Sequence, residues 1–372
     1  MIIIRTPFRF TLGGGGTDLP AYYSRFGGFI FAAGINKYMF INLNRPVVDD
    51  LIRIKYTKSE TVESRDDIQH EIARAAMEMT GVENSLEIVS MADVPAGTGL
   101  GSSSCYAVGL LNAIHTMKRE HIPLERLAEE ACRLEIDVLK KPIGIQDQYM
   151  AAFGGLTVLD IDKDGRVGIR PANVSEETID DLNKNLLMFY TSTQRDANKI
   201  LAEQSKGADS NKKNVVENMH YIKDIGLKIL AAVESGNITD VGLLFDKHWE
   251  YKKKISNKMS SPRFDEIYSI ARQNGALGGK ISGAGGGGFF VFYVENNHSR
   301  FREVMKMQGL REMRYRFDFE GTKVLVNFMD GVRYIEERLD NESNKNRRSR
   351  LVAFRLRNKR RLVQTRHSRC RF

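Results

Sequence analysis

The sequence contains little of what marks secreted, membrane-spanning or self-contained metal proteins. Only three of its 372 residues are cysteine, Cys105, Cys132 and Cys370, and their odd number and wide spacing predict neither a disulfide framework nor a zinc site. The seven histidines form no HxxxH or HExxH pattern, which argues against a metal site made of protein ligands alone. No apolar run approaches the roughly 20 residues of a membrane helix. The first residues, MIIIRTP, contain no basic segment followed by a long apolar stretch, so we expect a cytoplasmic protein that binds no membrane.

Acidic residues are scarce only at the C-terminal end. The net charge is +9, yet residues 341–372 hold twelve Lys and Arg residues and one acid, a balance of +11. The other 340 residues carry 44 bases and 46 acids, which is close to neutral. We therefore expect no nucleic-acid binding by the folded body, and a basic, disordered tail over 341–372. A nucleic-acid-binding role of the tail itself stays open as a second class of function.

What is present is a mixture of strand and helix patterns without a regular βαβ repeat, which favours the α+β class over a doubly wound sheet. The segment DIDKDGRVGIRP, residues 160–171, is rich in turn residues and is the predicted seam between an N-terminal domain, 1–170, and a C-terminal domain, 171–340. Strands are predicted at 2–4, 30–33, 38–41, 86–89, 186–190, 289–294 and 323–328, and helices at 68–79, from the serines near 104 to 117, at 123–140 and at 299–308, with further helices between 190 and 274.

The most informative segment is the glycine-rich stretch PAGTGLGSSS, residues 95–104. Glycines at alternate positions let the backbone turn sharply and bring N–H groups close to an anion, and the helix that follows offers the free N–H groups of its first turn. No lysine precedes the serines, and no GxGxxG pattern with a ribose-binding acid is present, so neither a Walker A loop nor a Rossmann fingerprint fits. A serine-capped strand-to-helix turn without a ligand is the alternative. As a phosphate site, the segment would bind a nucleotide through Pro95, Gly97, Thr98, Gly99, Leu100, Gly101, Ser102, Ser103 and Ser104.

Two carboxylates follow this loop where phosphoryl transfer could use them. Glu135 falls on the apolar stripe of the predicted helix 123–140, and a buried carboxylate is costly unless it is paired or bound to a metal ion. A charge at the edge of the stripe that reaches solvent is the alternative. Asp147 lies in GIQDQ, predicted to be a loop, where an acid is more often a turn residue or helix cap than a catalytic group. The apolar stripe on which Glu135 falls also contains Leu124, Ala128, Ala131 and Val138.

Three segments, in order, resemble the motifs of the GHMP kinases, the superfamily of galactokinase, homoserine kinase, mevalonate kinase and phosphomevalonate kinase. Its nucleotide loop is similar to residues 95–104, its first motif to RTPFR and GGGGTD within residues 5–18, and its third motif to KISGAGGGG, residues 280–288. One glycine loop is weak support, but three in order along most of the chain are specific. The resemblance implies a two-domain architecture with the active site between the domains, ATP as phosphate donor and Mg²⁺ as the metal ion.

The resemblance also implies roles for individual residues. Asp147 would be the catalytic base, assisted by Arg9. Mg²⁺ would be bound by Glu135 and by the hydroxyl of Ser103 or its neighbour Ser102. The residues implied to bind the acceptor substrate, led by an acid of the first motif that contacts the sugar, are Asp18, Gly15, Gly16, Thr17, Gly285, Gly286 and Arg195.

Within the superfamily, the segments GGGGTDLPAYYSRFGG, EIDVLKKPIGIQDQYMAAFGG and GALGGKISGAGGGGFFVFY are most similar to the subgroup that acts on D-glycero-D-manno-heptose 7-phosphate. Gly15 and Gly16 stand where galactokinases have Glu and His, which leaves room for a bulkier or anionic acceptor. The resemblance implies phosphorylation of the anomeric hydroxyl to give the 1,7-bisphosphate, with Arg5, Lys37 or Arg195 as cations for the substrate's phosphate. The alternatives are a galactokinase-like or fucokinase-like enzyme and a non-catalytic sugar-binding homologue. Either a monomer or a homodimer is compatible with the sequence.

Overall fold

The computed structural model describes residues 1–193, 197–209, 213–256 and 259–329, so Arg195 and the predicted tail, 341–372, lie outside the described residues. All the elements belong to a unit that spans residues 1–327. The strands are β1 (Ile2–Gly13), β2 (Gly28–Asn44), β3 (Ile52–Lys55), β4 (Ser59–Val62), β5 (Leu86–Ala92), β6 (Leu156–Ile161), β7 (Val167–Pro171), β8 (Leu186–Tyr190), β9 (Ala276–Ile281), β10 (Phe289–Val294), β11 (Arg311–Glu312) and β12 (Lys323–Asn327). The α-helices are α1 (Pro20–Phe26), α2 (Glu71–Thr80), α3 (Ser102–Met117), α4 (Leu124–Cys132), α5 (Gln146–Phe153), α6 (Glu176–Asn185), α7 (Ala197–Asp209), α8 (Lys213–Glu234), α9 (Ile238–Lys253), α10 (Pro262–Gln273) and α11 (His298–Met307), with a 3₁₀-helix at Arg65–Asp67 and a π-helix at Arg133–Val138.

Two long strands organise the larger, eight-stranded sheet. β1 and β2 pair antiparallel along most of their length, and β12 pairs with the outer side of β1. The first half of β2, Gly28–Ala33, pairs with β6, and its second half, Met39–Asn44, pairs with β5. The sheet therefore branches along β2, with β7 beyond β6 on one arm and β3 and β4 beyond β5 on the other. The pairing of β3 with β5 is parallel and the others are antiparallel.

The smaller sheet carries most of the C-terminal core. Its four strands follow the order β11-β8-β10-β9, all antiparallel. Every residue of β10 is buried, and its aromatic side chains pack with residues of α9, α10 and α11. Trp249 of α9 lies fully buried in this cluster.

α3 is the central helix of the N-terminal half. It contacts β1, β2, α2, α4 and α5, and twelve of its sixteen residues are buried, so it resembles a core helix more than an amphipathic surface helix. Gly109 allows the helix to approach β1 closely, because a Cβ there would lie 2.9 Å from Thr6 Oγ1. The burial of α3 fixes the position of its N-terminus, which follows the glycine-rich loop.

The predicted α+β class with mixed sheets is confirmed, while several element bounds were wrong. The strand predicted at 2–4 continues to Gly13. Its second part was not predicted because residues 6–13 are all buried, so this part lacks the alternation of buried and exposed residues that signals a strand. The runs 30–33 and 38–41 are parts of the single strand β2. The segment 160–171 lies in the β6–β7 hairpin, and the domain boundary within it stays a prediction. Within the described ranges, no helix combines the length and apolar character needed to cross a bilayer.

Candidate active site

The glycine-rich loop joins β5 to α3 and leaves the first turn of α3 free. Gly97, Gly99 and Gly101 have φ values of +77°, +78° and +83°, a left-handed conformation that glycine adopts without a steric penalty. Gly101 is the N-cap of α3, and no side chain caps the helix. The serine cap of the alternative is therefore wrong, whereas phosphate binding by the loop stays a prediction. The free N–H groups and the helix dipole make this end of α3 favourable for an anion.

The loop packs backbone against backbone on the third glycine-rich segment, residues 282–288. A Cβ on Gly99 would lie 2.7 Å from the carbonyl oxygen of Ser282, and one on Gly283 would lie 2.5 Å from the carbonyl oxygen of Gly99. At Gly288, a Cβ would lie 2.1 Å from the Thr98 carbonyl oxygen. Contacts this close exclude any side chain, so the glycines let the two loops form one surface.

An ion pair connects β1 to the start of α5. Arg9 Nε donates to Asp147 Oδ1 at 2.7 Å, and its Nη2 lies 2.5 Å from the same oxygen. The third nitrogen, Nη1, donates to the Gly99 carbonyl at 2.8 Å. The Arg9 side chain is 4% exposed and that of Asp147 24%, so the acid keeps access to solvent. Asp147, predicted to lie in a loop, is the second residue of α5.

Glu135 lies in a π turn. The predicted helix 123–140 is α4 followed by the π-helix at Arg133–Val138, a rare geometry that is common at functional sites. Its i→i+5 hydrogen bonds change the angular spacing of the side chains. Val138, predicted on the buried stripe, is therefore 43% exposed, whereas Glu135 is fully buried. The alternative in which Glu135 reaches solvent is wrong.

The buried Glu135 carboxylate accepts three hydrogen bonds. Ser103 Oγ donates to Oε1 at 2.5 Å, and Ser104 Oγ donates to Oε2 at 2.6 Å. Gln148 Nε2 donates to Oε2 at 2.7 Å. Lys141 Nζ lies 3.6 Å from Oε1 and donates to Ser103 Oγ at 3.2 Å. These partners and the nearby N-terminus of α3 stabilise the negative charge inside the protein.

Asp18 lies in the turn that connects β1 to α1, and the start of α5 holds its carboxylate. Gln146 donates from its backbone N–H at 3.2 Å and from Nε2 at 3.1 Å, and the Gly16 N–H donates at 3.1 Å. Burial, and then the charge of Asp147, raise the pKa of Asp18. Gly144 is needed here because a Cβ would lie 1.9 Å from Asp18 Oδ2.

Two cavities meet at the Arg9–Asp147 pair, which lines both. The larger, of about 930 Å³, contains the phosphate-loop residues together with Glu135 and Lys141. The smaller, of about 60 Å³, contains Asp18 and residues of the first glycine turn. A carboxylate with a bound guanidinium thus stands between a site suited to phosphates and a site suited to hydroxyl groups.

Comparisons with known proteins agree with this arrangement. The family model "GHMP kinases N terminal domain" matches residues 68–155, and "GHMP kinases C terminal" matches residues 229–306. A D-glycero-alpha-D-manno-heptose 7-phosphate kinase of Campylobacter jejuni is 30% identical over 332 residues, which cover 86% of this chain and 96% of that protein. The chain belongs to the GHMP kinase family. A galactokinase of Pyrococcus furiosus is 25% identical over 266 residues, which cover 64% of this chain and 72% of that enzyme.

The fold of this GHMP kinase also matches solved structures. The crystal structure of a D-glycero-D-manno-heptose 1-phosphate kinase from Bacteroides thetaiotaomicron superposes with a TM-score of 0.73 at 24% identity, and the match covers 88% of this chain and all of that one. The predicted two-domain GHMP architecture is confirmed by the family models for its N-terminal and C-terminal domains.

Most of the predicted nucleotide-binding residues of this GHMP kinase line the larger cavity. Thr98 and Leu100 are the exceptions, because both are buried behind the loop. Thr98 Oγ1 donates to the Pro95 carbonyl at 3.0 Å, and the Leu100 carbonyl accepts from the Arg9 N–H at 3.2 Å. These two residues hold the shape of the loop. Those that line the cavity are Pro95, Gly97, Gly99, Gly101, Ser102, Ser103 and Ser104.

Only some of the residues predicted to bind the acceptor line the smaller cavity. Gly15, Gly16 and Asp18 line the smaller cavity. The Thr17 hydroxyl is fully buried and donates to backbone carbonyls of the same turn and of β2. Gly285 and Gly286 pack against Met259 instead of lining either cavity, while their neighbours Gly283 and Ala284 line both.

Two of the three cations predicted for a substrate phosphate, Arg5 and Lys37, do not line the smaller cavity. Arg5 pairs with Glu320 and stacks on the Tyr38 ring, with its CZ atom 4.5 Å from the ring centroid. Lys37 donates to the adjacent Asn36 carbonyl at 3.3 Å. Arg195 lies outside the described residues. Instead, the smaller cavity contains Lys252 of α9, which the sequence did not distinguish from the neighbouring lysines of WEYKKK.

Proposed function

We propose that this protein is an ATP-dependent sugar kinase that transfers the γ-phosphate to the anomeric hydroxyl of D-glycero-D-manno-heptose 7-phosphate, giving the 1,7-bisphosphate. The observation that carries the proposal is the Arg9–Asp147 pair, which lines both the larger and the smaller cavity. In this assignment ATP occupies the larger cavity, with its phosphates on the N–H groups of the loop and of α3, and the acceptor end of the sugar phosphate lies at the smaller one.

In the proposed mechanism, Asp147 accepts the proton of the acceptor hydroxyl as the hydroxyl oxygen attacks the γ-phosphorus, and the bond from that phosphorus to the bridging oxygen breaks to release ADP. The guanidinium of Arg9 orients the carboxylate, because two of its nitrogens lie within 2.7 Å of Oδ1. Since the same guanidinium also binds the Gly99 carbonyl, it stands at the phosphate loop, where charge develops in the transition state. The acceptor hydroxyl would be oriented by hydrogen bonds to Asp18.

The residues present fit a magnesium ion bound together with ATP. Carboxylate and hydroxyl oxygens are hard ligands of the kind that Mg²⁺ prefers, and Mg²⁺ commonly takes one or two protein ligands and completes its shell with phosphates and water. Glu135 and Ser103 both line the larger cavity, and Gln148 beside them has a buried Oε1 atom with no hydrogen-bond partner within the described residues. Glu135 and Ser103 would hold the ion, which neutralises phosphate charge when bound.

The acceptor assignment rests on the first glycine turn and on the relative from C. jejuni. Gly16 has a φ of +102°, where a residue with a side chain is strained, and a Cβ there would displace Gln204 Nε2 of α7, 2.4 Å away, so the histidine that galactokinases carry at this position is disfavoured here. The relative from C. jejuni, whose match covers 86% of this chain, is named for a heptose 7-phosphate. Both observations favour a sugar phosphate over free galactose.

A non-catalytic sugar-binding homologue is the second candidate. It would require a defect in the catalytic constellation, yet Arg9, Glu135 and Asp147 all lie at the cavities with hydrogen-bond partners. We therefore favour the enzyme. A cytoplasmic location, where ATP is supplied, is part of the proposal.

The test is ADP release coupled to a reporter enzyme, with heptose 7-phosphate, free heptose, galactose and fucose compared at equal ATP and Mg²⁺. We expect kcat/KM for heptose 7-phosphate to exceed the other values by at least about 10², which corresponds to roughly 3 kcal/mol. Phosphorus NMR of the product would identify the phosphorylated hydroxyl. Equal turnover of galactose or fucose would refute the heptose phosphate as substrate but leave a sugar kinase, and no ADP release with any sugar would favour the non-catalytic homologue.

A further inference from the structure

Lys252 is a buried cation in the wall of the smaller cavity. It is 6% exposed, whereas the next residues, Lys253 and Lys254, are half-buried and exposed. Its Nζ donates to the Gly283 carbonyl at 2.6 Å, which leaves two of the three ammonium hydrogens for other acceptors. The contact with Gly283 places the ammonium group at the third glycine loop.

No carboxylate forms an ion pair with Lys252 within the part of the chain that the structure describes, although the charge of Asp18 acts on it from a distance. The charge of Arg9 is met by Asp147, and the Asp18 carboxylate is occupied by Gln146 and by a backbone N–H of the glycine turn. A buried ammonium group without a counter-ion is costly, and such groups are common at sites where the ligand supplies the opposite charge.

We propose that Lys252 binds the phosphate group that the acceptor sugar already carries, and that it determines the preference for phosphorylated over free sugar. This inference rests on the proposed function, because it requires a sugar phosphate as acceptor. An ammonium group is suited to phosphate as a compact, strongly charged donor.

The two cavities distinguish this assignment from a role with ATP. Lys252 lines the smaller cavity and not the larger one. On the larger cavity, Lys141 is the lysine beside the phosphate loop and donates to Ser103. Lys252 therefore faces the acceptor, and its loss should affect the choice of acceptor more than the binding of nucleotide.

The decisive variant is Lys252→Met, which removes the charge and keeps a long unbranched side chain. We expect kcat/KM for the sugar phosphate to fall about 10²-fold, the range for loss of a charged hydrogen-bond partner, with less than threefold change for the free sugar. The ratio between the two substrates should collapse, while the affinity for ATP measured by calorimetry stays unchanged.

Lys280→Met is the matched control. Lys280 is also a buried lysine, 3% exposed, that donates to a backbone carbonyl, that of Leu12, but it lines neither cavity. The loss of a buried ammonium group near α9 is therefore common to both variants. We expect Lys280→Met to keep the wild-type ratio, whatever its effect on thermal stability.

The wild-type enzyme offers a second readout that does not depend on the folding of a variant. Burial and the charge of Arg9 lower the pKa of Lys252 to about 8. The kcat/KM ratio of sugar phosphate to free sugar should therefore decline above pH 8, because kcat/KM reports the titration of the free enzyme. The other charged or titratable groups that act on Lys252, or on which it acts, are Arg9, Asp18, His248 and Lys280. Taking the ratio cancels their common effects on both substrates, and Lys280→Met removes the other lysine.

The outcomes separate this inference from the proposed function. If the wild type prefers the phosphorylated sugar but Lys252→Met keeps the preference, or loses activity equally on both sugars, Lys252 does not bind the substrate's phosphate and the proposed function stands. A ratio that stays constant from pH 7 to pH 10 would overturn the inference in the same way. If the wild type shows no preference, both the substrate and this inference are wrong.

Discussion

The Arg9 guanidinium joins the Asp147 carboxylate to the glycine-rich loop. It reaches Asp147 Oδ1 with two nitrogens, at 2.5 and 2.7 Å, and the Gly99 carbonyl with the third, at 2.8 Å. One buried side chain therefore fixes the proposed base relative to the proposed phosphate site. Because reacting groups must be held to within a fraction of an ångström, a substitution at Asp147 should alter the geometry of the glycine-rich loop, and a substitution in the loop should alter that of Asp147.

Asp147→Asn should lower kcat by roughly 10²–10⁴, the contribution of a positioned general base. The amide keeps the size of the carboxylate and an oxygen for Arg9, so ATP affinity should change less than threefold by calorimetry. Asp137→Asn, at an exposed acid of the π turn, is the control and should keep wild-type kcat. A loss below tenfold for Asp147→Asn would make Asp147 a positioning residue.

Gly99→Ala should weaken ATP binding at least tenfold, because the new methyl group would collide with the Ser282 carbonyl 2.7 Å away and separate the two glycine loops. Gly81→Ala is the matched control. Gly81 also has a positive φ, +69°, but has no atom within 4 Å of the position of a Cβ. Both variants carry the strain of a left-handed alanine, about 1–2 kcal/mol, so thermal unfolding should report this loss in each, with a further loss from the collision in Gly99→Ala. Equal ATP affinity in the two variants would remove this loop from the nucleotide site.

The glycine loops and Glu135 were predictable because their chemistry leaves a local pattern. Gly97, Gly99 and Gly101 alternate because each adopts a positive φ, and a carboxylate on an apolar stripe is rare unless it has a role. Lys252 leaves no such pattern. It is one of three consecutive lysines at the end of α9, and only the packing of α9 on β9 decides which one is buried. Long-range contacts of this kind are absent from any window of sequence.

Two features of the segment from Arg133 to Asp147 were not predicted: the π turn and the start of α5. The period of 3.6 residues placed Val138 inside, but the π turn at Arg133–Val138 rotates it outward, and no residue type marks a π turn in advance. The start of α5 was missed because it has no side-chain cap. Its first residue, Gln146, donates a hydrogen bond to Asp18, which lies near the start of the chain. This contact depends on the tertiary fold.

Glu135→Gln should raise the Mg²⁺ concentration needed for half-maximal rate at least tenfold, because a neutral amide oxygen is a weaker ligand for a hard cation than a carboxylate oxygen. We expect kcat/KM at fixed Mg²⁺ to fall by about 10². Glu71→Gln is the control: Glu71 is 56% exposed and pairs with Lys141 at 3.0 Å, so this variant changes a neighbour of Glu135 but not the ligand. An unchanged Mg²⁺ dependence in Glu135→Gln would exclude Glu135 as a ligand.

Asp18→Asn should lower kcat/KM for the sugar by about 10–10², because an amide accepts fewer hydrogen bonds from hydroxyls than a carboxylate. The same change should stabilise the protein at neutral pH. Burial and the charge of Asp147 raise the pKa of Asp18 above its usual value of 3.8. Its contribution to stability is therefore fully present below about pH 3.8 and is lost as the pH rises through the folded-state pKa.

The free energy of unfolding, measured with urea at several pH values, tests the sign. The difference between Asp18→Asn and wild type should become more favourable to the variant from pH 4 to pH 7. Asp49→Asn is the control, at an acid whose pKa is shifted in the opposite direction. Hydrogen bonds from Arg53 lower the pKa of Asp49, so its titration lies below pH 3.8 and its difference should stay flat over the same range. A flat difference for Asp18→Asn would mean that the carboxylate is fully compensated in the folded state. A rising one, together with the loss in kcat/KM, would show that Asp18 is kept in the acceptor site at a cost in stability.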